Sequence, residues 1–367
     1  MWDYIPAFNN CLLNGVLWKM KNVIQQKQTD TTVDILKFVF CVFVIALHTE
    51  ILNVFSTETK YYVTNILFRI PVPYFFVASG YYFKKKYSDS SIKQYKIVLF
   101  SFIKRLLFPY VVFLLIALRQ SWTTNMLNGK SQQTIFKCLI KDTFFYPQGA
   151  LWFVYALMCA AVITYPVLKK KNGVNICLAL GFSLFLFALV CNNYYFLIES
   201  TPLQRIVDNY LHIFVSARNG LFVGVVFLSI GMKCYDISHC ITRIQKKNRY
   251  IYGVILFGSL YVLEIIILQI NRFERIDDQS LYLSQLCFIP CLFLLSVLYP
   301  IKIPRKTSLL FRNLSTGMYF LHRPILWWVL FYIKNEVIIF VVVFVLAFFI
   351  CIISYNVKFT NKYYLLR

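Results

Sequence analysis

Long apolar runs divide this chain, and they limit what it can fold into before any motif is read. Ten of them approach the roughly 20 residues a helix needs to cross the hydrocarbon of a bilayer: residues 33–52, 62–83, 106–122, 150–168, 174–192, 212–232, 250–270, 281–299, 314–333 and 337–354. Charged residues make up only 14% of the chain against 59% hydrophobic, and they collect between the runs. Soluble domains carry about 25% charged residues, and the mean hydropathy here is +0.63. Barrel strands would show short segments of alternating polarity, which the runs lack. The expected fold is all-α: a polytopic membrane protein of about ten transmembrane helices, multi-pass in the inner (cytoplasmic) membrane.

The loops orient the helices. With a cytoplasmic N-terminus, the cytoplasmic segments hold 25 basic residues and the outer segments nine. That asymmetry follows the positive-inside rule and places both termini in the cytoplasm. The same clustering accounts for the net charge of +23, so nucleic acid is not an expected partner. Residues 1–30 read as a cytoplasmic lead, because the lysines follow the apolar patch instead of preceding it as in a signal peptide. Residues 31–357 are expected to form the transmembrane domain and 358–367 a short cytoplasmic tail, and no appended soluble domain is expected. The stretch 86–105 mixes lysines with apolar residues and reads as an amphipathic helix along the inner surface. The eleven cysteines lie mostly in apolar runs, where a buried, inert thiol is the simplest reading. No metal-ligand spacing stands out, and no metal is expected.

Polar residues inside the spans need a reason, since an ionisable group at mid-membrane costs at least about 2.5–3.5 kcal/mol on insertion scales. Asp34, Lys37 and His48 share one face of the first span, with Lys37 and His48 about 16 Å apart along the axis. The loop charges put Asp34 and Lys37 toward the inner surface and His48 toward the outer. Arg69 belongs to the outer half of the second span and Ser79-Gly80 to its inner end. Trp152 opens the fourth span. Arg218-Asn219-Gly220 lie in the sixth, and Tyr319, His322 and Arg323 in the ninth. Singly, each has a plainer role: His48 and Trp152 at an interface, Lys37 snorkelling to headgroups, Ser79-Gly80 as a close-packing site, Tyr319 and His322 bridging helices. Together they describe an inward-facing cationic cavity, which favours an anionic ligand. Lys104-Arg105, with Lys84, Lys85 and Lys86 nearby, suit phosphates.

Histidine is the usual base for activating a hydroxyl near neutral pH. A phosphate-binding inner mouth and an outer base fit acyl transfer across the membrane, from a coenzyme A thioester to a hydroxyl, with Arg69, Arg218 or Tyr319 stabilising the oxyanion. A transporter or flippase for an anionic or lipid-linked substrate would use similar residues.

The motifs resemble those of the membrane-bound acyltransferase family 3, which includes O-antigen and other surface-polysaccharide O-acetyltransferases. Asp34-Ile-Leu-Lys37 through His48 resembles its basic-x10-His motif, with lysine where arginine is commoner. Phe75-Phe76-Val-Ala-Ser79-Gly80 resembles the second-span motif, and Lys104-Arg105-Leu-Leu-Phe-Pro109 the basic-then-proline motif. Leu151-Trp152-Phe153, Arg218-Asn219-Gly220 and Tyr319-Phe-Leu-His322 resemble later ones. The resemblance implies acyl-CoA, in the first instance acetyl-CoA, as co-substrate and a carbohydrate acceptor at the cell surface. It implies catalytic roles for His48, Lys37, Arg218, Tyr319 and His322. Donor binding falls to Asp34, Lys37, Ser79, Lys104 and Arg105, and acceptor binding to Arg69, Trp152 and Asn219. Two departures stand out. Lys37 offers a point charge where arginine would offer a bidentate fork, and Arg323 separates His322 from Pro324, where the family more often places the proline sooner.

Overall fold

A computed structural model describes residues 31–88, 95–147, 149–240, 247–270 and 280–356. The expected lead (1–30) and tail (358–367) lie outside the described residues. Within them the chain is helical, and ten main helices set its architecture: α1 (Thr31–His48), α2 (Pro71–Ser88), α3 (Tyr95–Leu127), α4 (Leu151–Leu168), α5 (Gly173–Val190), α6 (Val225–Cys240), α7 (Lys247–Ile270), α8 (Gln285–Leu298), α9 (Arg305–Val329) and α10 (Glu336–Asn356). Seven are long and apolar enough to cross a membrane: α1, α3, α4, α5, α6 with the turn before it, α7 and α10. The other three fall short of that test for visible reasons. α2 ends in Lys84, Lys85 and Lys86, α8 is 14 residues long, and α9 carries polar residues along its 25-residue length.

The core is built around α1, α2, α6 and α9. α2 and α6 form the most extensive helix pair, and two glycines permit it. A Cβ on Gly80 would lie 2.0 Å from the Leu228 carbonyl oxygen, and one on Gly231 would lie 2.0 Å from that of Val77. Small residues at such crossings let backbones touch, which is how helices associate where lipid removes the hydrophobic drive. The faces of α3, α5 and α7 turned from this core expose Leu115, Phe182, Leu256 and Leu263, as lipid-facing helices do.

Three sequence expectations change. Residues 95–105 are not a separate surface helix. α3 runs unbroken for 33 residues, about 50 Å at 1.5 Å per residue, so the lysine-bearing turns extend the span beyond the hydrocarbon. The expected second span is interrupted: helix Thr57–Val63 passes into a π turn, Thr64–Phe68, before α2 starts at Pro71. Proline at a helix start costs no hydrogen bond, whereas in its interior it would, so Pro71 and Pro73 favour the restart. The sixth span starts later than residue 212. Helix Pro202–Phe214 closes at Val215 (φ 65°), and the membrane-length helix begins at Gly220.

Candidate active site

Three π turns feed one cavity. Thr64–Phe68 is followed by Arg69, Lys141–Phe145 by Tyr146, and Gly220–Gly224 is preceded by Arg218-Asn219. A π turn widens the helix by one residue and leaves the next side chain off the helical register, which is why such turns recur at functional sites. Here they aim Arg69, Tyr146 and Arg218 at the space beside His48, a cavity of about 290 Å³ also lined by Trp152 and Tyr319.

His48 ends α1. Its ring stacks on His322 of α9 with centroids 5.4 Å apart and planes 24° from parallel. Nδ1 of His322 meets the Met318 carbonyl at 3.2 Å, and its Nε2 has no hydrogen-bond partner among the described residues, though the residue is fully buried. The imidazole of His48 borders the cavity. Arg218 lies between two aromatic rings, its guanidinium 5.2 Å from the Trp152 ring centre and 5.6 Å from that of Tyr146, whose hydroxyl it also bonds. Cation–π contact over stacked rings holds a charge in place without neutralising it. The lining residues described include no carboxylate, so Arg69 and Arg218 make the cavity cationic.

Two residues expected at this site are turned to other work. The Asn219 Oδ1 accepts from the Leu221 and Phe222 amides at 3.0 and 3.1 Å, and its Nδ2 donates to the Tyr210 hydroxyl at 2.8 Å. It caps the π turn and does not line the cavity. Tyr319 lines the cavity, but its hydroxyl donates to the Ala150 carbonyl at 2.5 Å. The Tyr319 hydroxyl proton is therefore already committed to a backbone carbonyl.

At the opposite end of α1 a second cavity, about 380 Å³, is lined by Lys37, Ser79, Arg105, Lys85, Lys86 and Arg312. Lys37 lies 5.1 Å over the Tyr82 ring and Lys85 5.8 Å from it. Five cationic side chains converge, with no carboxylate among the described lining residues. Asp34 is not available there: it is 1% exposed, accepts from Arg312 Nε and Nη2 at 2.9 Å each, and takes a 2.6 Å bond from Ser308. Sequence reasoning placed Asp34 with the donor ligands because it shares a face with Lys37; the partner on α9 is visible only in three dimensions. Lys104 is exposed and off the cavity, one residue out of phase with Arg105.

Between the two cavities stand Phe75, Phe153 and Tyr319, paired at centroid distances of 5.9, 6.2 and 5.8 Å. Phe75 lies on its helix between Pro73 of one cavity and Ser79 of the other, and Phe153 between Trp152 and Leu157, while Tyr319 itself lines the His48 cavity one turn from Thr316 of the other. The residues missed in the sequence are Tyr146 and Arg312. Tyr146 falls in a polar connection and Arg312 among loop lysines, so neither looked like part of a span.

A family described as an acyltransferase domain matches residues 30–356. Among curated proteins the chain is similar to an amino-acid racemase of Enterococcus faecalis, at 26% identity over 76% of this chain and 37% of that protein. It is also similar to a serine/alanine racemase of Enterococcus gallinarum, at 24% identity over 79% of this chain and 40% of that one. A second amino-acid racemase of Enterococcus faecalis is 24% identical over 89% of this chain and 46% of the relative. The chain thus spans less than half the length of each of these relatives. No solved structure matches it. Two cationic cavities at either end of α1 stand among apolar helices of membrane-crossing length, and the family match covers both: this chain is a multi-pass membrane protein that belongs to acyltransferase family 3.

Proposed function

We propose that the chain is an integral-membrane O-acyltransferase. It moves an acyl group, in the first instance acetyl, from cytoplasmic acyl-CoA to a hydroxyl of a cell-surface glycan or its lipid-linked precursor. In this reading the protein crosses the inner membrane ten times with both termini in the cytoplasm. The observation that carries it is the pair of cavities joined by α1, Lys37 lining one and His48 the other. The Lys37 cavity, with its convergence of lysine and arginine, suits the phosphates of coenzyme A. The pantetheine arm then runs toward the aromatic layer of Phe75, Phe153 and Tyr319. In the other cavity His48 takes the proton of the acceptor hydroxyl as its oxygen attacks the thioester carbonyl. The Arg69 and Arg218 guanidinium groups stabilise the oxyanion. When the C–S bond breaks, the thiolate leaves with the proton His48 has held, and the acyl oxygen ester remains on the acceptor. The His322 ring behind His48 fixes the orientation of the base.

Racemisation is the activity the Enterococcus relatives are named for, and more than half of each lies outside the match. The region shared with this chain is largely the region the acyltransferase match occupies, so acyl transfer is the reading that follows for it. The test compares surface glycans from cells making the wild type, His48→Ala or no protein. The proposal requires an acetyl mass increment present only with the wild type. An increment that survives His48→Ala would remove His48 as the base, and one absent from all three would remove the glycan acceptor.

A further inference from the structure

We propose that Arg323 is a phosphate-binding subsite for the acceptor, in a side cleft between α3 and α9 that shares a wall with the His48 cavity. The proposal deepens the acyltransferase reading by naming the chemistry of its acceptor. Arg323 directly follows His322 but leaves α9 on another side. Gly149, in the left-handed region at φ +61°, lets it do so: a Cβ there would lie 2.5 Å from Arg323 Nε. Gly149 also lines the His48 cavity, so the guanidinium passes along that cavity's rim. From the rim it borders two adjoining hollows, about 40 and 190 Å³, which both also touch Gln120. Tyr319 and Ala150 are walls common to the smaller hollow and the His48 cavity.

The chemistry of the cleft fits an anion. Among the described residues Arg323 makes no hydrogen bond and no ion pair, although a guanidinium has five donors. Asp142 accepts from the wall residue Ser121 at 2.8 Å but does not itself line the cleft. The walls offer Gln120, Thr124 and Asn125, uncharged groups that leave the arginine's charge uncancelled, and Trp327 donates its indole N–H to the Thr124 hydroxyl at 3.1 Å. A planar fork with free donors, amide neighbours and no competing carboxylate matches a phosphate ester. At the mouth Thr124 and Leu330 are exposed, beside exposed Met126, Leu127 and Trp328. An apolar mouth leading to a lone arginine suits a phosphate carried on a lipid chain that enters from the bilayer, with its sugar reaching His48. A water-soluble sugar phosphate shares the same head-group chemistry and is separated from the lipid by experiment.

The test is binding by the full chain in neutral phosphatidylcholine nanodiscs, with farnesyl phosphate as the lipid probe and glucose 1-phosphate as the soluble one. It needs no turnover, so absence of acyl transfer would refute the enzyme reading without touching this one. Arg323→Gln is expected to weaken binding at least tenfold and Arg323→Lys less. Lys334→Gln, which removes an exposed charge, should leave it unchanged. Leu330→Trp, which narrows the mouth without altering Arg323, should weaken the lipid probe even if Arg323→Gln folds poorly. Preference for farnesyl phosphate supports entry from the bilayer, and binding of glucose 1-phosphate alone assigns the subsite to a soluble phosphate. Binding of neither probe, or equal loss with Arg323→Gln and Lys334→Gln, would overturn the proposal.

Discussion

The lock between α1 and α9 yields the sharpest stability prediction. Asp34 and Arg312 form a bidentate pair at 2.9 Å, with Ser308 as a third partner of the carboxylate. The two sides differ in burial: the Asp34 side chain is 1% exposed and that of Arg312 27%. Arg312→Met leaves a buried carboxylate with one hydroxyl donor, a loss of about 3–5 kcal/mol for breaking a buried pair from one side. Asp34→Leu strands the more exposed partner, which can turn into the cavity it already lines, so about 1–2 kcal/mol is expected after discounting for solvent. The double variant Asp34→Leu/Arg312→Met removes both charges and should lie near the wild type, because apolar replacement of a buried pair is often neutral. The assay is reversible unfolding in mixed micelles for all four proteins. The expected coupling is about 3 kcal/mol or more. Additive single losses, or an Asp34→Leu loss equal to that of Arg312→Met, would refute the assignment of Asp34 as a structural lock.

Three further outcomes follow from the same geometry. Lys37→Gln should raise the KM for acyl-CoA far more than Lys37→Arg, which keeps the charge toward the donor cavity; equal effects in steady-state kinetics would count against phosphate binding there. Gly231→Val should cost about 3 kcal/mol or more by overpacking, read as lost yield and a lowered Tm, because its Cβ would meet the backbone oxygen of Val77 at 2.0 Å. Tyr319→Phe should cost about 1–2 kcal/mol for the unmet Ala150 carbonyl but leave kcat within severalfold of wild type, since the hydroxyl proton is already used.

Much of the site was legible because membrane helices penalise polar residues, so those that persist point inward. That logic places Lys37 with Ser79 and Arg105, and His48 with Arg69, Trp152, Arg218 and Tyr319, as the two cavities do. It failed where the partner of a side chain mattered more than its depth. Asp34 has the right depth for a donor ligand and is consumed by Arg312. Asn219 has the right neighbours and is consumed by a cap. Tyr146 reaches the cavity only because a π turn shifts it, and periodicity cannot foresee such a turn. The stack of His48 on His322 brings together residues 274 positions apart, which one sequence cannot pair.

The central claim is that His48 transfers a proton for a donor held at the other end of α1. Purified protein in sealed vesicles, given acetyl-CoA on the Lys37 side and a glycan acceptor on the His48 side, should release free thiol and acetylate the acceptor in equal amounts. His48→Ala should stop both while the protein still binds CoA. Thiol release that persists in His48→Ala, or acceptor movement across the membrane with no thiol released, would contradict the account.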